Sequence, residues 1–293
     1  LKGYGTAAGI PAGTWASGGN VNTGGTNLFG VGTSTSSALI YGGEGGRTNQ
    51  TEKYDGTSWT ELNDLNASGQ NGGSAGNAED AAAMSGDASG PRAVSTEFWN
   101  GTNWTEGAEL NVARQQGGGA GPATSAMLFF GGYTWPSPGV RNLNEIYDGT
   151  SWTEVGDMNT ARYLMAAGGT TTAAIAAGGN PPSTGTGVTE TWNGTSWTEV
   201  ADLNTVREEL SQGMGTYDDF VTAGGNNGSY LANTEFWNGT SWTEINDLSL
   251  ARGKASNSGS SVSGVMVTGA TAPTTTATEE FTAAAVVSTI TTS

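Results

Sequence analysis

Short apolar runs that stop at glycine recur along this chain at a nearly constant interval. They are Ala38–Tyr41 before Gly42-Gly43, Ala81–Ser85 before Gly86, Met127–Phe130 before Gly131-Gly132, Ala173–Ala177 before Gly178-Gly179, Asp219–Ala223 before Gly224-Gly225, and Val265–Thr268 before Gly269. Runs of this length suit strands buried on both faces, whereas a helix needs more residues and an apolar stripe of period 3.6. No segment carries a sustained stripe of that kind, so the chain is predicted to be all-β. A second landmark is an octapeptide: YDGTSWTE from Tyr54, WNGTNWTE from Trp99, YDGTSWTE from Tyr147, and WNGTSWTE from Trp192 and from Trp237. Its Asp-Gly or Asn-Gly makes a tight hairpin turn, because these residues tolerate positive φ.

The second aromatic of the octapeptide falls at Trp59, Trp104, Trp152, Trp197 and Trp242, in steps of 45, 48, 45 and 45. Seven residues after each comes Asn66, Asn111, Asn159, Asn204 or Ser249. Trp15 obeys the same rule with Asn22, 44 residues before Trp59, and is a sixth copy of this part of the unit. Each period holds four strand-sized pieces: a small-residue strand a, the apolar strand b, a variable loop, strand c ending at the first aromatic, and strand d with Trp-Thr-Glu. Four antiparallel strands per period of this length make one propeller blade, and six copies make six blades. A propeller hides its sheet edges by joining the chain ends in one blade. Thr14–Ser17 is therefore predicted to pair beside Glu279–Thr282 and complete the last blade. The expected division is a lead-in over 1–14, the propeller over 15–282, and a tail over 283–293. That tail is uncharged and rich in Thr, Ala and Val, so it is expected to leave the ring and seek a neighbouring chain as its partner edge.

Glycines after an apolar strand, then a spaced aromatic and a spaced Trp, resemble the kelch repeat over about residues 15–282. Departures are the single Gly86 and Gly269, and Thr282 and Val287 where the last unit's aromatics belong. The wording W-T-E-x-x-D-L-N-x-A-R is in addition similar to kelch-like structural proteins of tailed phages, notably those of marine cyanobacteria.

Composition narrows the chemistry. Glycine accounts for 49 of 293 residues, there is no Cys and no His, and the net charge is −17. The missing residues remove thiolate nucleophiles, imidazole bases, disulfides and Cys- or His-ligated metals, including the ligands that galactose-oxidase chemistry needs. The negative charge argues against nucleic acid or an anionic membrane as partner, and no apolar stretch reaches the length of a membrane span. The chain starts at Leu1 without a secretory signal, which reads as a processed product or a piece of something longer.

A Glu stands two residues before the strand-c aromatic, or a close variant of that pair recurs, in six units: Glu52/Tyr54, Glu97/Trp99, Glu145/Tyr147, Glu190/Trp192, Glu235/Trp237, and Glu280 with Thr282. Arg114, Arg162, Arg207 and Arg252 stand ten residues after their tryptophans. Such a ring is read as scaffold, since catalytic pairs are asymmetric in environment. The N-G-T triplets at Asn100, Asn193 and Asn238 match a glycosylation acceptor, but Asp55 and Asp148 hold the same place, so turn chemistry explains both. D-G-T-S-W resembles the Asp-box turn of sialidase-type propellers, with different spacing and no arginine triad. No catalytic, cofactor or metal residue is assigned, and no non-repeating acidic pair or symmetry-breaking polar cluster stands out. Variation concentrates in the b–c loops, where binding residues usually sit. Tyr133, Trp135, Arg141 and Tyr230 are the candidates there, with Trp135 either packing on its own blade or facing a ligand. The expected function is a non-enzymatic component at the virion surface, such as a tail fibre, appendage or capsid decoration, binding other virion proteins or a host receptor or glycan. The alternative is a secreted carbohydrate-binding module or a carboxylate-dependent glycoside hydrolase.

Overall fold

The computed structural model describes residues 13–45, 49–69, 72–85, 94–134, 139–181, 185–210, 212–271 and 274–283. Among them the chain forms six four-stranded antiparallel sheets, one two-stranded hairpin and no α-helix. The sheets are the blades of a six-bladed β-propeller. Blade 3 is representative: strand a is Gly118–Ala123, b is Ala126–Phe130, c is Asn144–Tyr147 and d is Trp152–Val155, paired in that order. The apolar strand b is buried on both faces, as its lack of alternation requires. Strands a line the axis, each touching the strands a of both neighbouring blades.

That convergence explains the small residues on strand a. A Cβ on Gly119 would lie within 3 Å of the backbone of Ser74 in blade 2. The axis keeps a cavity of only about 90 Å³. The Gln212 amide of blade 5 reaches across it and donates to the carbonyls of Ser74 and Gly119 in blades 2 and 3.

The last blade closes as the sequence predicts. Its strands Ser256–Ser260, Ser263–Val267 and Thr278–Thr282 are joined by Thr14–Ser17, with Trp15 opposite Phe281 and Ser17 opposite Glu279. This register corrects one expectation. The unit's glutamate and aromatic are Glu279 and Phe281, one position earlier than Glu280 and Thr282. Without an Asp-Gly turn after strand c, nothing in the local sequence anchors the count, and the missing tryptophan comes from Trp15, whose ring centroid lies 5.1 Å from that of Phe281. Glu280 instead accepts a hydrogen bond from the Tyr54 hydroxyl of blade 1. Thr14 already belongs to the ring. Val287 and residues 284–293 of the expected tail lie outside the described residues.

A second correction concerns the glycine pair. Its first member has φ 60° at Gly42, 65° at Gly131 and Gly178, and 71° at Gly224. In the sixth blade this place is taken by Thr268 with φ 56°, and in the second by Ser85 with φ 68°, so Gly269 is the pair's second residue. A side chain in the left-handed region is strained, a β-branched one most of all.

The turn between strands c and d has one chemistry in two residues. The Oδ1 atoms of Asn193 and Asp148 each accept from the backbone N–H groups two and three residues on, all four at 2.9 Å. Asn100, Asn238 and Asp55 repeat the arrangement.

Two outcomes follow. Thr268→Gly removes a strained φ and a buried hydroxyl that has no hydrogen-bond partner, against the entropy of adding glycine. It is expected to stabilise the fold by about 0.5–1 kcal/mol in urea denaturation. The N–H groups of Ser151 and Thr150 hold the Asp148 carboxyl below its usual range, and those of Ser58 and Thr57 do the same for Asp55. Both groups therefore stabilise the fold above the unfolded value of about 3.9, and that contribution is lost as pH falls through the lower folded value. Carboxyl NMR titration is expected to give both midpoints below 3.9, and the Asp55→Asn/Asp148→Asn double variant is expected to lose part of its acid sensitivity.

Candidate functional site

The repeated residues form a frame. In blade 4 the Glu190 carboxylate accepts from the Asn159 backbone N–H at 2.7 Å, the Asn159 side chain at 2.9 Å, the Thr160 N–H at 3.1 Å and Arg162 at 3.2 Å. Glu235 is bound in the same way by Asn204, Thr205 and Arg207. Arg114 pairs with Glu145, and Arg252 with Glu279. Arg207 also donates to the carbonyls of Gly224 and Asn233 at 3.0 and 2.7 Å. Burial pulls the Arg162 guanidinium down to about 10 against the pull of Glu190, so it stays charged at neutral pH. Ten residues after Trp15 and Trp59 stand Gly25 and Gly69, and there Glu52 and Glu97 keep the donors of Asn22 and Asn66.

The tryptophans tie each blade to the one before it. The indole N–H of Trp104 donates to Thr51 and that of Trp59 to Thr278, both at 3.0 Å, while Trp242 to Thr189 and Trp15 to Thr234 span 3.1 Å. Trp152 donates to the carbonyl of Ala108, and Trp197 packs edge-on against Phe130 of blade 3.

One end of the ring departs from this regularity. At five of the repeated tryptophans, Trp15, Trp104, Trp152, Trp197 and Trp242, the residue eleven positions on bridges to the residue after the next glycine pair or its equivalent. The pairs are Thr26 with Glu44, Gln115 with Tyr133, Tyr163 with Asn180, Glu208 with Asn226 and Gly253 with Ala270. The next residue is left-handed at all five of these described positions: Asn27, Gln116, Leu164, Glu209 and Lys254, with φ between 52° and 59°. Backbone bonds link these around the mouth of the channel, from Asn27 to Lys254, Lys254 to Glu209, and Leu164 to Gln116. Each strained residue costs on the order of 1–3 kcal/mol. That strain fixes the direction in which the variable side chains beside it leave the ring.

On blades 3 to 6 those side chains meet. The rings of Tyr133 and Tyr163 lie 5.5 Å apart, and the Asn180 amide donates to the Tyr163 hydroxyl at 3.2 Å. The Asn226 amide donates to Glu209 at 3.1 Å, and Lys254 approaches the same carboxylate at 3.4 Å. Between blades 4 and 5 runs a groove of about 670 Å³ containing Asn180, Val206, Glu208 and Asn226. One oxygen of Glu208 is buried there without a hydrogen-bond partner. Burial first, and then the charge of Glu209, push the Glu208 carboxyl above its usual range, while Asn180 and Lys254 act the other way.

Of the loop candidates, Tyr133 and Tyr230 lie on this face. Tyr230 bridges to Asn226, and a side chain on Gly253 would meet both Tyr230 and Glu209. Arg141 fastens its own hairpin through Thr134 and the Gly132 carbonyl. Trp135 lies outside the described residues. Contrary to the expectation from sequence, a non-repeating polar cluster with adjacent carboxylates at Glu208 and Glu209 does break the symmetry. Tyr163, Asn180, Glu208 and Asn226 escape a motif search because they are motifs of nothing. Their signal is that they occupy the two positions that change in each unit directly beside positions that do not. Among the described residues, no group of three or more acidic side chains is placed to hold a metal ion, and no helix is long and apolar enough to cross a membrane.

No protein-family model and no curated protein matches this chain.

Because Arg207 and Glu235 are both withdrawn from water, Arg207→Ala leaves a buried carboxylate without its counter-charge. It is expected to cost about 3–5 kcal/mol by chemical denaturation. Tyr230→Ala, on the exposed rim, is expected to change stability by less than about 0.5 kcal/mol.

Proposed function

We propose that this chain is a non-enzymatic structural component of a virus particle, a tail fibre, appendage or capsid decoration. It lies at the virion surface and presents the b–c face of a rigid propeller to a host receptor, a glycan or a neighbouring virion protein. One observation carries the reading: the frame is repeated around the ring, while the bridging pairs at one mouth differ in every described blade. Side-chain diversity held on a stiff, strained rim is how binding surfaces are built on regular scaffolds.

The kelch resemblance belongs to this reading. A glycine pair, or a left-handed stand-in, follows strand b in the described blades, and the spaced aromatics pack at the contacts between blades. The similarity of W-T-E-x-x-D-L-N-x-A-R to kelch-like proteins of tailed phages supports the particle setting. An acidic chain without Cys suits a surface exposed to changing redox conditions, where charge of one sign maintains solubility. Assembly through residues 283–293 is part of the same proposal.

The Glu208 carboxylate in the groove favours a second reading, a carboxylate-dependent glycoside hydrolase. Mass spectrometry of purified particles is expected to find the chain at defined stoichiometry. Particles carrying Tyr133→Ala are expected to adsorb to host cells more slowly than wild type. Finding the chain only as a free secreted protein that turns over glycans would replace the first reading by the second.

A further inference from the structure

We propose that the groove between blades 4 and 5 is a binding site for a neutral carbohydrate, with Glu208 and Asn180 as its hydrogen-bonding centre and Val206 as its apolar wall. The inference deepens the reading above, since it rests on the loop face being a ligand surface.

Four features of the groove point to this ligand. The first is the unpartnered oxygen of Glu208. An ionised carboxylate only accepts, so the missing partner is a donor, and a buried acceptor left unmade is costly enough to make that preference strong. The second is the set of amides: Asn180, Asn226 and Asn227 line the groove beside Asn204, whose own amide is spent on Glu235. Amides offer donors and acceptors side by side, which matches vicinal hydroxyls in a way that a row of apolar side chains does not. The third is the apolar surface, which is small and divided. Val206 is 51% exposed, and Tyr163 stands beside the lining residue Asn180, bonded to its amide. This is enough for the C–H face of a sugar ring and too little for the buried apolar anchor that a peptide partner needs. The fourth is charge. Glu208 and Glu209 are adjacent, Lys254 is drawn onto Glu209, and the whole chain carries −17. Sialylated and sulfated sugars are repelled, as are nucleic acids. The volume of about 670 Å³ admits one to a few monosaccharide units.

The site is preorganised. The Asn180 amide is held by the Tyr163 hydroxyl, and both residues leave the backbone at a bridge between neighbouring segments. Ligand binding therefore orders little that is not already ordered.

The test is an array of neutral, amino and sialylated glycans probed with the purified full chain, followed by titration calorimetry on the best neutral hit. Wild type is expected to bind neutral glycans and not sialylated ones. Glu208→Ala and Asn180→Ala are each expected to weaken binding by about 10- to 100-fold with an unchanged melting temperature. Tyr217→Ala is expected to leave binding alone, because its exposed side chain stands on the a–b turn at the opposite end of the ring. The inference is overturned if no neutral glycan binds, if only sialylated glycans bind, or if neutral binding survives both groove substitutions. Its failure is separable from that of the particle reading. A chain found in particles, with Tyr133→Ala adsorbing slowly and no glycan bound, keeps the particle role and loses the sugar site. Neutral-glycan binding by a chain absent from particles does the reverse.

Discussion

The glutamate of strand c is taken out of water and given a full set of donors in return. Its oxygens receive the backbone and side-chain N–H groups of an Asn in the preceding crossover, or the backbone N–H alone where Ser249 stands there, and in four blades a guanidinium as well. An isolated carboxylate in such a place would cost several kcal/mol, so the donors must be held within narrow limits of distance and direction. That requirement shapes the crossover from the outer strand of one blade to the inner strand of the next. The arginine then pins the crossover to strand-end carbonyls. The glycine pair lets the chain turn beneath it: a side chain on Gly131 would lie 2.6 Å from the carbonyl of Arg162. Blade-to-blade distance, crossover path and glycine requirement are thus one constraint seen from three sides.

A frame tied down this firmly leaves some positions free of structural duty, and these are not scattered. They lie at the bridges around one mouth, where bonds between equivalent residues of neighbouring blades fix the backbone whatever side chain it carries. Stability and recognition therefore occupy different atoms of the same residues. Leu164 and Glu209 have the same backbone conformation, φ 54° and 56°, and entirely different surfaces to offer.

The fold was legible in the sequence because a propeller writes its architecture once per blade. Six spaced copies of tryptophan and small polar residue, with hairpin turns at Asp-Gly and Asn-Gly, left little freedom in topology, and even the closing strand at Trp15 followed from edge burial. The count went astray where the repeat lost its turn. At Glu279 and Phe281 the partner strand comes from the other end of the chain, and no local pattern records that register. The polar cluster was harder to see for a related reason. Tyr163, Glu208 and Asn226 come together only through the ring, and each is unremarkable within its own unit. Burial of one Glu208 oxygen depends on the packing of two blades, which periodicity does not encode.

The seam at the sixth blade has a mechanical side. Thr14 pairs with Thr282 in an antiparallel register, so the points where the chain enters and leaves the ring are adjacent and at the same end of the two strands. Tension applied between those two points opens the seam like a zip, meeting one pair of residues at a time. Tension that drags Thr14–Ser17 along its own axis loads its four pairs together, in shear. The same four-residue strand is thus a weak fastener for one direction of pull and a strong one for the other, and the direction is set by which parts of the molecule are anchored.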